Sequence, residues 1–251
     1  MTIMKTVLEF RYQPADFFEA PYRRTTAAFE MLVDAGLIAV SLSSPQNPVP
    51  EMLRLQIKSE AEAIFLARQL LLHRKFHLDE SARTIQHTAD GIRAISLTLT
   101  DVVVETMADQ VDIVLSDSTG NVIHDSKAER IAEDTRFVDE LAPKISRSPL
   151  LQSLLNSYRA AVNDPANELV HLYEIRDALA RYYGGEKQTC KRLGITRAEW
   201  QRLGRLADYE PVAQSRHRGG HLGSIRPATQ AELEEARDTA CRLILAFAAS
   251  A

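Results

Sequence analysis

The sequence predicts an α+β protein in which a mixed strand and helix domain, residues 1–146, precedes an all-helical domain, residues 147–251. Segments with strand-like alternation and β-branched residues occur in the first part only. Helix-capping signals followed by apolar residues at helical spacing fill the second part. The hydrophobic fraction of 45% and the charged fraction of 25% are those of an ordinary globular protein. We therefore place the domain boundary near Arg147, where the strand signals cease.

The first domain begins with a predicted strand, because residues 6–12 alternate between apolar and polar side chains. Residues 27–33 and 37–43 flank Asp34-Ala35-Gly36, a turn sequence that predicts an antiparallel hairpin. After a proline-rich loop, residues 52–57 alternate again and predict a further strand.

A buried helix is expected next. Ser59 and Glu62 have the spacing of a capping box that opens a helix to about Lys75, and its residues 63–67 and 70–72 are apolar almost all round. Two β-branched segments, 92–104 and 111–115, predict strands, and the second is followed by a turn and another short strand. A helix from about Lys127 to Lys144 completes the domain.

The second domain reads as a series of helices. Ser148-Pro149 and Asp164-Pro165 each supply a cap followed by proline at the first helical position, and an apolar stripe follows each pair. The later boundary signals are a glycine pair Gly184-Gly185, Leu193-Gly194, a capping box of Thr196 with Glu199, and another of Thr229 with Glu232. These signals predict two long helices, two short ones and a final long helix.

Several functional classes find no support in the sequence. Two cysteines without a CxxC spacing suggest neither a disulfide framework nor a thiolate metal site. There is no secretory signal and no apolar run of membrane-spanning length, so we expect a cytoplasmic protein that does not contact a membrane. The chain has no GxxxxGK or GxGxxG motif for ATP or dinucleotide chemistry. His73 with His77 and His217 with His221 are four residues apart, but no ligand set is completed nearby, so we expect no metal.

Positive charge is concentrated in one segment of an otherwise acidic chain. The whole chain has a formal charge of -4, whereas residues 187–226 contain nine basic residues and three acidic ones. A basic segment on an acidic body is typical of a polyanion-binding surface, although a solvated charged face gives the same count.

This segment contains the hexapeptide Arg216-His217-Arg218-Gly219-Gly220-His221, which combines a permanent cation, imidazoles and a flexible glycine pair. Because the glycine pair interrupts helix, the side chains of Arg216 and His221 could converge on one phosphate. Arg68 and His73 have the same separation, but we predict that they lie within one helix and point away from each other.

The hexapeptide fits the pattern of Arg, then Asn, Asp or His, then three residues, then His, and it precedes the last helix of a predicted all-α domain. In this the region 149–251 resembles the HEPN superfamily, particularly its Apea-like branch, whose motif lies near the last helix of an up-and-down bundle. Residues 1–146 take no part in the resemblance.

The resemblance implies a metal-independent endoribonuclease without a cofactor, which cleaves RNA to 2′,3′-cyclic phosphate ends. His221 would act as the general acid or base, Arg216 would hold the phosphate, and His217 would orient the phosphate or the catalytic pair. Arg218, Arg226 and Arg205 are the further cations that we expect to bind the RNA substrate. The resemblance also implies a homodimer, because family sites are often composed of two motifs.

A ribonuclease joined to an unfamiliar domain suggests a toxin or an antiphage-defence effector, in which residues 1–146 sense a trigger, bind a regulatory protein or direct assembly. One alternative is a HEPN-like module without catalytic activity that binds nucleic acid or protein. Another is a helix-turn-helix DNA-binding regulator, since residues 191–200 read as a short helix, a glycine turn and a second helix. In that case Arg197, Arg202 and Arg205 would face DNA.

The predicted helix before the basic segment carries Glu174, Arg176 and Asp177. Arg176 lies on the apolar stripe of its helix, so we expect a buried stem with an exposed guanidinium rather than a substrate contact. Glu174 and Asp177 could anchor the motif from the same helix, or could simply be solvated.

Overall fold

The computed structural model describes residues 3–80, 82–88, 91–94, 112–116, 119, 121–216 and 224–250. Its first part contains nine strands within these ranges, and its second part is helical, as the α+β prediction requires. The strands are β1 Ile3–Gln13, β2 Tyr22–Thr25, β3 Phe29–Asp34, β4 Leu37–Leu42, β5 His77–Leu78, β6 Arg83–Thr88, β7 Gly91–Ala94, β8 Val114–Ser116 and β9 Val122–Asp125.

The main sheet is antiparallel, with the strand order β2-β3-β4-β1-β6-β7, and β5 pairs with the end of β1. The predicted hairpin is confirmed: β3 and β4 pair from Phe29↔Leu42 to Asp34↔Leu37. Between them Ala35 and Gly36 have φ values of 45° and 83°, the left-handed conformation that a two-residue hairpin turn requires. β8 and β9 form the second predicted hairpin.

The strand predicted at 52–57 is wrong. These residues belong to α1, which runs over Glu51–Leu72. The alternation of apolar and polar residues that suggested a strand covers only six residues. The fully buried residues Ile57, Ala61 and Ile64 are instead three or four residues apart, which is the spacing of one face of a helix. The predicted capping box of Ser59 and Glu62 therefore lies inside the helix, and the helix ends before Lys75. Of the strand predicted at 92–104, only 92–94 are among the described residues, and they belong to β7.

The helical part confirms most boundary signals of the sequence, but Asp164 makes no capping hydrogen bond and Pro165 begins a 3-10 turn, so that the helix itself starts at Glu168. The hydroxyl of Ser148 accepts a hydrogen bond from the Leu151 amide, and Thr196 forms a reciprocal capping box with Glu199. Gly184 and Gly194 end their helices in the left-handed conformation. The helices are α2 Ser126–Arg147, α3 Pro149–Asn163, α4 Glu168–Tyr183, α5 Glu186–Leu193, α6 Arg197–Gly204 and α7 Gln230–Ser250, with a 3-10 turn Pro165–Asn167 before α4 and a π-helical turn Arg205–Tyr209 after α6.

The core of the helical part forms where α3, α4 and α7 pack against one another. Each of these helices buries one apolar stripe, and the residues from the three stripes include Leu151, Leu154, Leu155, Leu169, Leu172, Ile175, Leu179, Leu243, Ile244 and Phe247. None of the helices within the described ranges has both the length and the apolar character to cross a bilayer.

The chain divides into two compact units, Met1–Glu62 with Phe76–Asp139, and Ala63–Lys75 with Glu140–Ala251. This division differs from a single boundary at Arg147, because the end of α2 and the second part of α1 belong to the helical unit. The α1 residues contact that unit directly: the Cys241 thiol lies 3.8 Å from the Leu70 carbonyl oxygen, and the His73 ring lies 3.0 Å from the Tyr158 hydroxyl. A single domain boundary placed along the sequence cannot assign residues 63–75 to the unit formed by residues 140–251.

Candidate anion-binding site

The hexapeptide lies between the π-helical turn and α7. Arg216 is its only residue among those described; His217, Arg218, Gly219, Gly220 and His221 lie outside them. The predicted convergence of Arg216 and His221 on one phosphate therefore remains a prediction.

The segment that carries the hexapeptide is closed at its base. Val212 and Arg226 form a parallel β-bridge, in which the Arg226 amide donates to the Pro211 carbonyl (3.0 Å) and the Ala213 amide donates to the Arg226 carbonyl (2.9 Å). The Gln214 side-chain oxygen also accepts a hydrogen bond from the Ala228 amide at 2.9 Å. The two ends of the segment are thus held next to each other by backbone hydrogen bonds.

The backbone at Arg216 is also fixed. Its amide donates to the Ala207 carbonyl oxygen at 2.9 Å. That carbonyl is available because the helical run ends at Tyr209 and leaves its last carbonyl groups without intrahelical donors. The preceding residue, Ser215, is fully buried and its hydroxyl donates to the Val212 carbonyl at 2.7 Å. The chain therefore enters the hexapeptide from a rigid position.

The guanidinium of Arg216 lies over the ring of Tyr173, with 4.7 Å between Cζ and the ring centroid. Arg216 is exposed, and within the described part of the chain no carboxylate pairs with it. An exposed cation–π contact of this kind stabilises by about 0.5–1 kcal/mol. The contact holds the charged group in place while its N–H donors remain available to an anion.

Tyr173 also contacts the guanidinium of Arg176, at 5.0 Å from its ring centroid. Arg176 lies in addition 4.8 Å from the Trp200 ring centroid and 3.9 Å from the Glu186 carboxylate. Its side chain is only 16% exposed, so the prediction of an exposed head is wrong: the guanidinium is covered by aromatic rings. The spacing of Tyr173 and Arg176, three residues apart on one helix, is the sequence signal that could have indicated this contact.

Three of the five other arginines that the structure describes in residues 187–226 pair with carboxylates: Arg197, Arg202 and Arg226. Arg226 makes two hydrogen bonds of 2.7 Å to Glu232 and lies 3.3 Å from Glu210. The Arg226 guanidinium, together with the Thr229 cap, lowers the pKa of Glu232 to about 2. Arg202 pairs with Glu235 at 2.9 Å. Arg226, predicted to bind substrate, is thus engaged within the protein.

Of the predicted substrate-binding residues, Arg205 is exposed and has no carboxylate partner among the described residues. It lies at the first position of the π-helical turn, close in sequence to Ala207, which anchors Arg216. The structure therefore associates Arg205 and Arg216 with the same short turn.

For the helix-turn-helix alternative, α5, Gly194 and α6 do form a helix, turn and helix. However, Arg197 pairs with Glu186 at 3.0 Å, and Arg202 pairs with Glu235, so two of the three arginines expected to face DNA are engaged. Trp200 and Leu203 of α6 are buried and serve as core.

The two acidic residues that could have anchored the motif have other contacts. Glu174 accepts a hydrogen bond from the Ser157 hydroxyl at 3.2 Å, and Asp177 lies 3.8 Å from Arg181. Neither pairs with Arg216.

A buried polar cluster in the helical unit was missed by the sequence analysis. Glu168 is 2% exposed and accepts hydrogen bonds from Arg237 at 2.5 and 2.9 Å. His73 lies 3.5 Å from the same carboxylate, and its Nδ1 lies 3.0 Å from the Tyr158 hydroxyl. Burial, and secondly the Arg237 charge, lower the pKa of His73 and outweigh Glu168, because Arg237 already neutralises that carboxylate.

The cluster also corrects the reason given against the pair Arg68 and His73. His73 is not inside a helix, because α1 ends at Leu72 and His73 has a left-handed φ of 47°. Its ring is engaged with Tyr158, which it meets edge to face at 5.5 Å. No group of three histidine, cysteine or acidic side chains able to hold a metal occurs in the described ranges.

Comparison of the chain with protein-family models, with curated proteins and with solved structures gives no match.

Proposed function

We propose that the helical unit is a HEPN-like, metal-independent endoribonuclease whose active residues are Arg216, His217 and His221. The observation that carries the proposal is the state of Arg216: its backbone is fixed by Ala207, its guanidinium is held on Tyr173, and no described carboxylate neutralises it. A fixed and unpaired guanidinium that directly precedes His217 in the sequence is suited to binding a phosphate diester.

In the proposed reaction, the ribose 2′-oxygen attacks the adjacent phosphorus while an imidazole takes the 2′-hydroxyl proton. The bond from phosphorus to the 5′-oxygen breaks, and that oxygen receives a proton from an imidazole. The products are a 2′,3′-cyclic phosphate and a 5′-hydroxyl end, and Arg216 stabilises the charge on the phosphoryl oxygens. His221 and His217 are the groups available in the hexapeptide for the two proton transfers. Arg205 and Arg218 supply further positive charge for the RNA backbone.

The test is cleavage of single-stranded RNA in the presence of EDTA. We expect His221→Ala to abolish cleavage, and Arg216→Ala to lower its rate by at least about 100-fold. Arg216→Lys keeps the charge but loses bidentate binding and should restore only part of the rate. Arg226→Ala is the matched control, because Arg226 is engaged by Glu232. Undiminished cleavage by His221→Ala would refute the proposal.

The alternative of a binding module without catalysis is favoured by the same unpaired guanidinium and is separated in the same experiment. A non-catalytic module binds RNA through Arg216 but yields no cyclic phosphate ends with the wild-type protein.

We also propose that the protein acts as a cytoplasmic homodimer in toxin or antiphage systems, with the strand-containing unit responding to a trigger. Molecular mass in solution tests the dimer.

A further inference from the structure

A second candidate binding site lies at the end of α4, away from Arg216. It is an open pocket of about 600 Å³ between residues of α4, α5 and α7. Its lining combines aromatic rings with hydrogen-bond donors and contains no carboxylate among the described residues; it consists of Tyr182, Tyr183, Gln188, Arg192, Phe247 and Ser250.

The aromatic side of the pocket has one exposed ring, that of Tyr182, which packs against two other rings. Tyr182 is 62% exposed, an unusual state for a large aromatic side chain. Its ring meets Tyr183 edge to face at 4.9 Å and Phe247 at 5.5 Å. Phe247 is only 3% exposed, and the Tyr183 hydroxyl lies 3.1 Å from the Ser250 hydroxyl. Tyr182 therefore keeps a defined orientation and offers its ring to a planar ligand.

The α5 residues of the pocket supply one cation and one amide. Gln188 and Arg192 are four residues apart on α5, which places them on the same side of the helix, and both are exposed. The acidic residue of α5, Glu186, pairs with Arg197 at 3.0 Å and does not neutralise Arg192. Lys187 and Lys191 of the same helix are exposed and, like Arg192, make no ion pair with a described residue.

We infer that this pocket binds a nucleotide. The base stacks on Tyr182, the phosphate pairs with Arg192, and the Gln188 amide hydrogen-bonds to the base or the sugar. The same chemistry is presented by a free nucleotide and by one residue of a single-stranded RNA. An apolar protein segment is a poorer occupant, because it would cover Arg192 without supplying an anion.

The pocket is distinct from the Arg216 site. Tyr182 follows Tyr173, the ring under Arg216, by nine residues on α4. This separation corresponds to roughly 14 Å along the axis and about half a turn around it. The inference consequently does not depend on RNA cleavage, and a failure of the proposed nuclease leaves it in place.

The experiment measures two probes on the full chain carrying His221→Ala, which prevents cleavage. A fluorescently labelled single-stranded RNA is followed by anisotropy, and adenosine monophosphate is followed by calorimetry. Tyr182→Ala and Arg192→Ala are compared with Leu245→Ala, which removes a large side chain of α7 that is 36% exposed but does not line the pocket. Light scattering reports the oligomeric state of each variant.

We expect Tyr182→Ala to weaken RNA binding by about tenfold or more. Arg192→Ala should weaken it too and reduce the salt dependence of log K by about 0.7, as expected for one lost phosphate contact on a single strand. Loss of adenosine monophosphate binding in the same variants would identify a free nucleotide as ligand, and loss of RNA binding alone would identify the strand. Unchanged binding of both probes, or weaker binding that accompanies a changed oligomeric state, would overturn the inference.

Discussion

Replacing Arg237 with alanine should destabilise the helical unit far more than removing a surface ion pair. Arg237 is the partner of Glu168, whose carboxylate is 2% exposed. Without the guanidinium, a buried charge is left unpaired or must be protonated, and removal of one partner from such a pair costs about 3–5 kcal/mol. Glu168→Gln should cost less, about 1–3 kcal/mol, because the Arg237 side chain is 22% exposed and can turn its charge toward water.

Urea unfolding followed by tryptophan fluorescence measures these losses. The single tryptophan, Trp200, is 1% exposed and lies in the same unit as the ion pair, so its emission reports the unfolding of that unit. Arg202→Ala is the control, because Arg202 pairs with Glu235 near the surface, where such pairs contribute about 0.2–1 kcal/mol. The double variant Glu168→Gln with Arg237→Ala should cost less than the sum of the single variants. A loss for Arg237→Ala no larger than that for Arg202→Ala would refute the reasoning.

Three further predictions concern the same unit. The pKa of His73 is lower in the folded state than in the unfolded chain, so the unfolded state binds more protons as the pH falls through about 6.5. The free energy of unfolding must therefore fall on acidification. His73→Gln should reduce this loss between about pH 7 and about pH 5, as measured by urea titrations. Burial raises the pKa of the Cys241 thiol to about 11, so at about pH 8 only about one molecule in a thousand carries the thiolate there. Maleimide should therefore modify Cys190 first, as shown by peptide mapping. Preferential modification of Cys241 would contradict this order. Gly194→Ala places a side chain at a φ of 65° and should lower the free energy of unfolding by about 1–2 kcal/mol, and a gain in urea midpoint would be inconsistent with the left-handed cap.

The parts of the fold that local chemistry determines could be predicted from the sequence. The turn at Asp34-Ala35-Gly36 and the caps at Ser148 and Thr196 act within a few residues of themselves, and all are present. The strand predicted at 52–57 failed because six alternating residues also fit the start of a longer helical pattern. Only burial of the later residues of α1, which depends on distant parts of the chain, decides between the two.

The candidate site could be predicted less completely, because charge compensation is not local. Counting charges over residues 187–226 indicated a basic surface, yet Glu186, Glu232 and Glu235 lie outside that window and neutralise arginines within it. The stacking of Arg216 on Tyr173 joins two elements far apart in sequence, and no spacing rule could indicate it. His73 was likewise misplaced, since its role depends on the exact end of α1.

The β-bridge between Val212 and Arg226 joins the two ends of the hexapeptide segment next to the helices that support it. Because the closure is made by backbone groups, it does not depend on which side chains the segment carries. The residues between these two bridge partners can therefore change in sequence during evolution, or be exchanged by engineering, while the helical scaffold keeps its stability.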